Sequence, residues 1–154
     1  MENGNHETTD LRAAALNPLT GWRHEELQVP EWGGVTVAVR EPTLDDRLFW
    51  VGPLNDAAAV ADGDDEEAVR SKYRKVGVSA HTFANARLFV RVLFERTPAG
   101  WRRLFADEDV PAVVTAFGAV HEQIVVKAIQ LGKLDVDPVE DGKKPSAETQ
   151  ASDS

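Results

Sequence analysis

The chain has 154 residues, 42% of them hydrophobic, a formal net charge of −9 and no cysteine. One domain with a real core is the expectation at this length, and the missing cysteines exclude a disulfide framework, a thiol nucleophile and thiolate-held metal groups. The acidic balance argues against a nucleic-acid binder, whose phosphate contacts need clustered Lys and Arg, and no apolar run reaches the roughly 18–20 residues of a membrane span.

The first residues, through Glu7, are polar and acidic, unlike the basic start and apolar centre of a secretory signal. Charge is concentrated at the two ends. Glu2, Glu7 and Asp10 stand against Arg12, and Asp135, Asp137, Glu140, Asp141, Glu148 and Asp153 against Lys143 and Lys144, so the ends hold −6 of the −9. From Glu140 onward the chain is Gly, Lys, Pro, Ser, Ala, Thr, Gln and acids, which bury too little apolar surface to offset the entropy of ordering. A flexible acidic N-terminus (1–20), one domain (21–134) and a disordered acidic tail (135–154) are therefore expected. A short helical turn over 11–16 can dock on the domain.

Within the domain, Glu26-Leu27-Gln28-Val29 and Val35 to Arg40 each alternate with period two, and Pro30-Glu31-Trp32-Gly33-Gly34 separates them. That pattern predicts a β-hairpin with a bulged or longer turn. Thr43 is a candidate N-cap with Asp45 and Asp46 in the first turn. Leu44, Leu48, Val51 and Leu54 then mark one helical face, and Gly52-Pro53 predicts a stop or kink. Acids at 64–67 followed by Arg70, Lys72, Arg74 and Lys75 predict an exposed helix over 65–76 that ends at Gly77. Residues 79–95 carry Phe83, Ala86, Phe89, Val90 and Leu93 on helical spacing, although Leu88, Val90, Val92 and Phe94 also fit a strand; length and a polar stripe favour a helix. Residues 97–100 read as a turn and 101–105 as extended. Asp107 is a candidate N-cap for a helix containing Pro111, Val113, Val114 and Phe117. Gly118 separates it from a last amphipathic helix with Val120, Ile124, Val125, Ala128, Ile129 and Leu131 on one side, which stops at Gly132. The fold class expected is α+β, mainly α-helical: an N-terminal β-hairpin followed by four to five short helices, with disordered termini.

Signatures of chemistry are missing. No phosphate loop, dinucleotide fingerprint or nucleophile elbow occurs. His24-Glu25 and His121-Glu122 resemble the start of a zinc-protease motif, but Gln28 and Val125 stand where its second His is needed. Asp62, Asp64 and Glu66 match the first spacings of a calcium loop, yet Glu67 stands where that loop needs Gly and Tyr73 where it needs Glu. No catalytic, cofactor-binding or metal-ligating residue is assigned, and no cofactor is expected. Of the tryptophans at 22, 32, 50 and 101, Trp50 and Trp101 suit core packing. Trp32 suits core or a binding surface equally.

The segment Leu27-Gln28-Val29-Pro30-Glu31-Trp32-Gly33-Gly34, followed by Val35 to Glu41, resembles the opening motif of tail assembly chaperones of long-tailed bacteriophages. Residues 88–94, the turn at Gly100 and Leu104-Phe105-Ala106-Asp107-Glu108-Asp109-Val110 resemble that family's next motifs, and 120–134 its closing helix. Residues 55–78 are longer and more charged than the family pattern. Ala106 replaces the usual Ser or Thr cap, which moves the expected cap to Asp107.

The resemblance implies a protein without enzymatic activity that binds and solubilises the tape measure protein while the tail tube assembles. It would work in the host cytoplasm and be missing from the mature virion. Further partners it implies are a longer frameshifted form of the chain and tail tube subunits, and it leaves room for oligomerisation; neither nucleic acid nor membrane is implied. Gly142-Lys143-Lys144 fits a slippery G-run and A-run for such frameshifting. A structural head–tail or tail-completion component is the alternative. Candidate partner-binding residues are Trp32, Val120, Ile124, Ala128, Ile129 and Leu131. The competing and more usual reading is that the stripe on the last helix faces the domain's own core.

Overall fold

A computed structural model describes residues 11–133. The expectations for 1–10, for the tail from 135 and for frameshifting at Gly142-Lys143-Lys144 lie outside the described residues. The fold is α+β and mainly helical. It contains a short helix α1 (residues 11–16), strands β1 (His24–Val29), β2 (Val35–Arg40), β3 (Leu93–Thr97) and β4 (Gly100–Arg103), and helices α2 (Leu44–Ala58), α3 (Glu66–Arg74), α4 (Val78–Val92), α5 (Val110–Ala116) and α6 (Ala119–Leu131).

The four strands form one antiparallel sheet in the order β1-β2-β3-β4. The expected hairpin pairs His24 with Arg40 through to Val29 with Val35. Its turn is a single 3-10 turn, Pro30–Trp32, followed by Gly33 and Gly34 at φ +80° and +77°. Both glycines occupy the left-handed region, where a side chain is strained. This lets the Gly34 N–H return to the Val29 carbonyl at 2.9 Å.

Period two sorts the sheet's two faces. Val37 and Val39 pack with Phe89, Val110, Val113, Ile124 and Val125 in the main core. Ala38 and Phe94 point the other way and pack with Leu19. That second cluster reaches past the boundary expected at residue 20. The segment before β1 belongs to the fold, because Leu19 is buried and the Pro18 carbonyl accepts a 3.0 Å hydrogen bond from Arg40.

Three other expectations change. First, α2 runs through Pro53 to Ala58. A helical proline frees the carbonyl four residues earlier, here that of Phe49, and the Arg87 side chain of α4 donates to it at 2.6 Å. Second, residues 79–95 are both of the alternatives: helix to Val92, then strand from Leu93. Third, Asp107 does not cap the following helix. The Asp109 carboxylate accepts the Ala106 N–H at 2.8 Å, and Asp107 turns to Arg91 and Arg103. Thr43 caps α2 as its position suggests, in a reciprocal box with Asp46.

Candidate partner-binding surfaces

Helix α6 is held at both ends. Its first turn is closed by His121, whose Nδ1 accepts the Gly118 N–H at 3.1 Å. Its last carbonyls carry the negative end of the helix dipole, and Arg23 donates to that of Leu131 at 3.1 Å. Lys127 pairs with Glu25 of β1 at 2.9 Å. Held in this way, α6 turns its apolar stripe inward. Ile124 and Ala128 are buried in the main core, and Val120, Ile129 and Leu131 are half-buried against it. Ile124 and Ala128, both named as candidate contacts, therefore offer no free surface in this conformation. Trp32 is half-buried too, edge-on to Phe89 at 6.4 Å and to His121 at 5.8 Å.

The hairpin and α6 leave a groove of about 280 Å³ between them. Leu27, Val29, Pro30 and Glu31 line it from the hairpin, and Val120, Gln123 and Ile124 from α6. The sequence marked both elements but not that they face each other.

A different apolar stripe is open. Leu44 is 72% exposed and Leu48 61% exposed, one helical turn apart on α2. The sequence pattern made these the buried face, with Val51 and Leu54. The structure rotates the helix so that Asp46 and Leu54 are buried and Leu44 and Leu48 face solvent. The cause is polar. The Asp46 carboxylate bonds Arg40 at 3.1 Å and Arg91 at 3.2 Å. Arg91 also holds Asp107 through paired contacts at 2.8 and 2.9 Å. Those bonds pull the Asp107 carboxyl down to about 2 and raise the Arg91 guanidinium, with Asp107 the largest contributor. The same cation lies 4.0 Å from the Phe49 ring centre, a cation–π contact. Of the residues weighed as a calcium loop, Asp64 accepts the Ala61 N–H at 2.8 Å and pairs with Lys72, and its neighbour Asp65 caps α3 through Ala68.

His121 gives the site a pH dependence. Burial among Trp32, Phe89 and Phe117 lowers its pKa from the usual 6.5. The folded state thus binds this proton less tightly than the unfolded chain. Its stability contribution is complete above about pH 6.5 and is lost as pH falls through the folded value. His121→Gln keeps an acceptor for the Gly118 N–H and removes the titration. Urea unfolding from about pH 7 down to about pH 5 should show a smaller loss of stability for this variant than for the parent. Equal slopes would refute the assignment.

The family model for the phage tail assembly chaperone matches residues 10–144. Among solved structures, the tail assembly chaperone of bacteriophage HK97 is similar, at 26% identity and a TM-score of 0.54, over 79% of this chain and 96% of that one. No curated protein matches the chain.

Proposed function

Because the chain belongs to the phage tail assembly chaperone family, we propose that it binds the tape measure protein through exposed apolar surface and keeps that protein soluble while the tail tube forms, with no chemistry of its own. The observation that carries this reading is the open stripe of Leu44 and Leu48 on an acidic body. Two exposed leucines one helical turn apart suit contact with another apolar helix. A net negative charge keeps such a carrier soluble. The host cytoplasm is then its place of action, and it leaves before the particle is complete.

The test is co-expression with the tape measure protein, read as the soluble fraction and as complex recovered on a tag. The Leu44→Asp/Leu48→Asp variant should fold, since both side chains are exposed, and should bind at least about tenfold more weakly, given the roughly 1.5–3 kcal/mol of burying one such side chain. Unchanged capture by the folded variant refutes the α2 surface. An unchanged soluble fraction with and without the parent chain refutes the function, as does stoichiometric recovery of the chain from purified particles.

A further inference from the structure

We propose that Arg47 selects the partner on the α2 stripe: the helix bound there carries an Asp or Glu beside its apolar row, and that carboxylate meets the Arg47 guanidinium. The inference rests on the capture reading above and deepens it by naming the partner's chemistry.

Arg47 belongs to the stripe by helical geometry. Leu44, Arg47, Leu48 and Val51 stand at i, i+3, i+4 and i+7 of α2, the positions of one helical face. The Arg47 side chain is half-buried. Its Nε is buried and donates to nothing among the described residues, and its terminal nitrogens, which make no bond there either, are open to solvent.

That state sets Arg47 apart. Of the other described arginines that are buried or half-buried, Arg40 and Arg91 hold carboxylates. Arg87 lies over the Phe49 ring at 3.5 Å and donates to a carbonyl. Arg47 has neither an acid nor a ring, in a chain with 26 acidic residues against 17 basic ones. Its own helix has none to offer. The positions three and four residues away are Thr43, Leu44, Trp50 and Val51, and the nearby Asp45 and Asp46 are turned to Arg91 and Arg40. The missing acid is therefore one that a partner brings. A guanidinium takes a carboxylate through two parallel N–H···O bonds, and an apolar row docked over the leucines shields that pair from water.

Charge also sets the side on which the acid must lie. Around the helix axis Arg47 stands about 60° to one side of Leu44 and Asp45 about 100° to the other. Asp45 is 82% exposed, so an acid on its side meets a like charge. The leucines supply the contact, and the two flanks supply its orientation.

Recovery of the intact tape measure protein on the tagged full-length chain tests the proposal, with circular dichroism confirming that each variant is folded. Arg47→Glu should bind at least about tenfold more weakly than the parent, and Arg47→Gln should fall between them. Arg102→Glu, the same charge change at a 70% exposed position on β4, should bind as the parent does. In a scan of Asp→Lys and Glu→Lys changes beside the apolar rows of the tape measure protein, at least one should restore binding to Arg47→Glu. Equal binding by the parent and Arg47→Glu, an equal loss with Arg102→Glu, or a scan in which nothing restores binding overturns the inference and leaves the capture reading standing. Self-association of the parent that Arg47→Glu abolishes places a second copy on the stripe and overturns it too. A parent that recovers no tape measure protein overturns both.

Discussion

Asp46→Ala should cost the fold about 3–5 kcal/mol, the amount typical of removing one partner from a buried ion pair. Its carboxylate joins three elements: it accepts the Thr43 N–H at 2.9 Å at the start of α2, Arg40 of β2 and Arg91 of α4. The side chains of Asp46 and Arg40 are only 5% and 11% exposed. Burial already lowers the Arg40 pKa, and Asp46 is the main influence opposing it. Without Asp46 the guanidinium keeps the Pro18 carbonyl and the face of Phe94 at 4.8 Å, but no carboxylate. Loss of the capping box adds to the same deficit. Asp45 is the internal control. It also bonds Arg91, at 2.7 Å, but is 82% exposed, so Asp45→Ala should cost less than about 1 kcal/mol. Urea unfolding checks both: the Asp46 variant should lower the midpoint sharply at an unchanged slope. Similar costs for the two variants would mean that burial of the pair is not what matters.

The same aspartate explains what a hydrophobic pattern misses. Reading α2 from its leucines places Leu44 and Leu48 inside, because the pattern counts Asp46 as a surface residue. Two arginines from distant elements reverse that, and no local signal announces them. Pro53 is a parallel case: it reads as a break unless the donor that rescues the Phe49 carbonyl is known, and that donor, Arg87, is far along the chain. Apart from Arg91, every residue from Leu88 to Phe94 is buried, so its apolar residues carry no period that could separate helix from strand. The hairpin, the Thr43 cap, the break at Gly118 and the stop at Gly132 were legible because each is set by local backbone chemistry. Of the candidate residues, the sequence marked Trp32 and the apolar stripe of α6. It could not tell that α6 packs inward while α2 keeps the open stripe.

Phe89→Ala should be as damaging as the loss of Asp46, by a different route. The ring is fully buried and lies 5.5 Å from Phe105, 4.9 Å from His121 and 6.4 Å from Trp32. It therefore ties α4 to the segment before α5, to α6 and to the hairpin turn. Removing a buried phenyl ring costs about 3–5 kcal/mol in lost transfer energy and residual cavity, a large share of the roughly 5–15 kcal/mol of a whole domain. Phe83, six residues earlier on the same helix, is exposed, and Phe83→Ala should stay within about 1 kcal/mol. The Phe89 variant also tests cooperativity. If α5 and α6 belong to one unit with the sheet, helical circular dichroism and tryptophan fluorescence should give coincident unfolding curves, both shifted to lower urea. Separated curves would mean that Phe89 joins two units able to unfold independently, with α6 and the groove beside it in the weaker one.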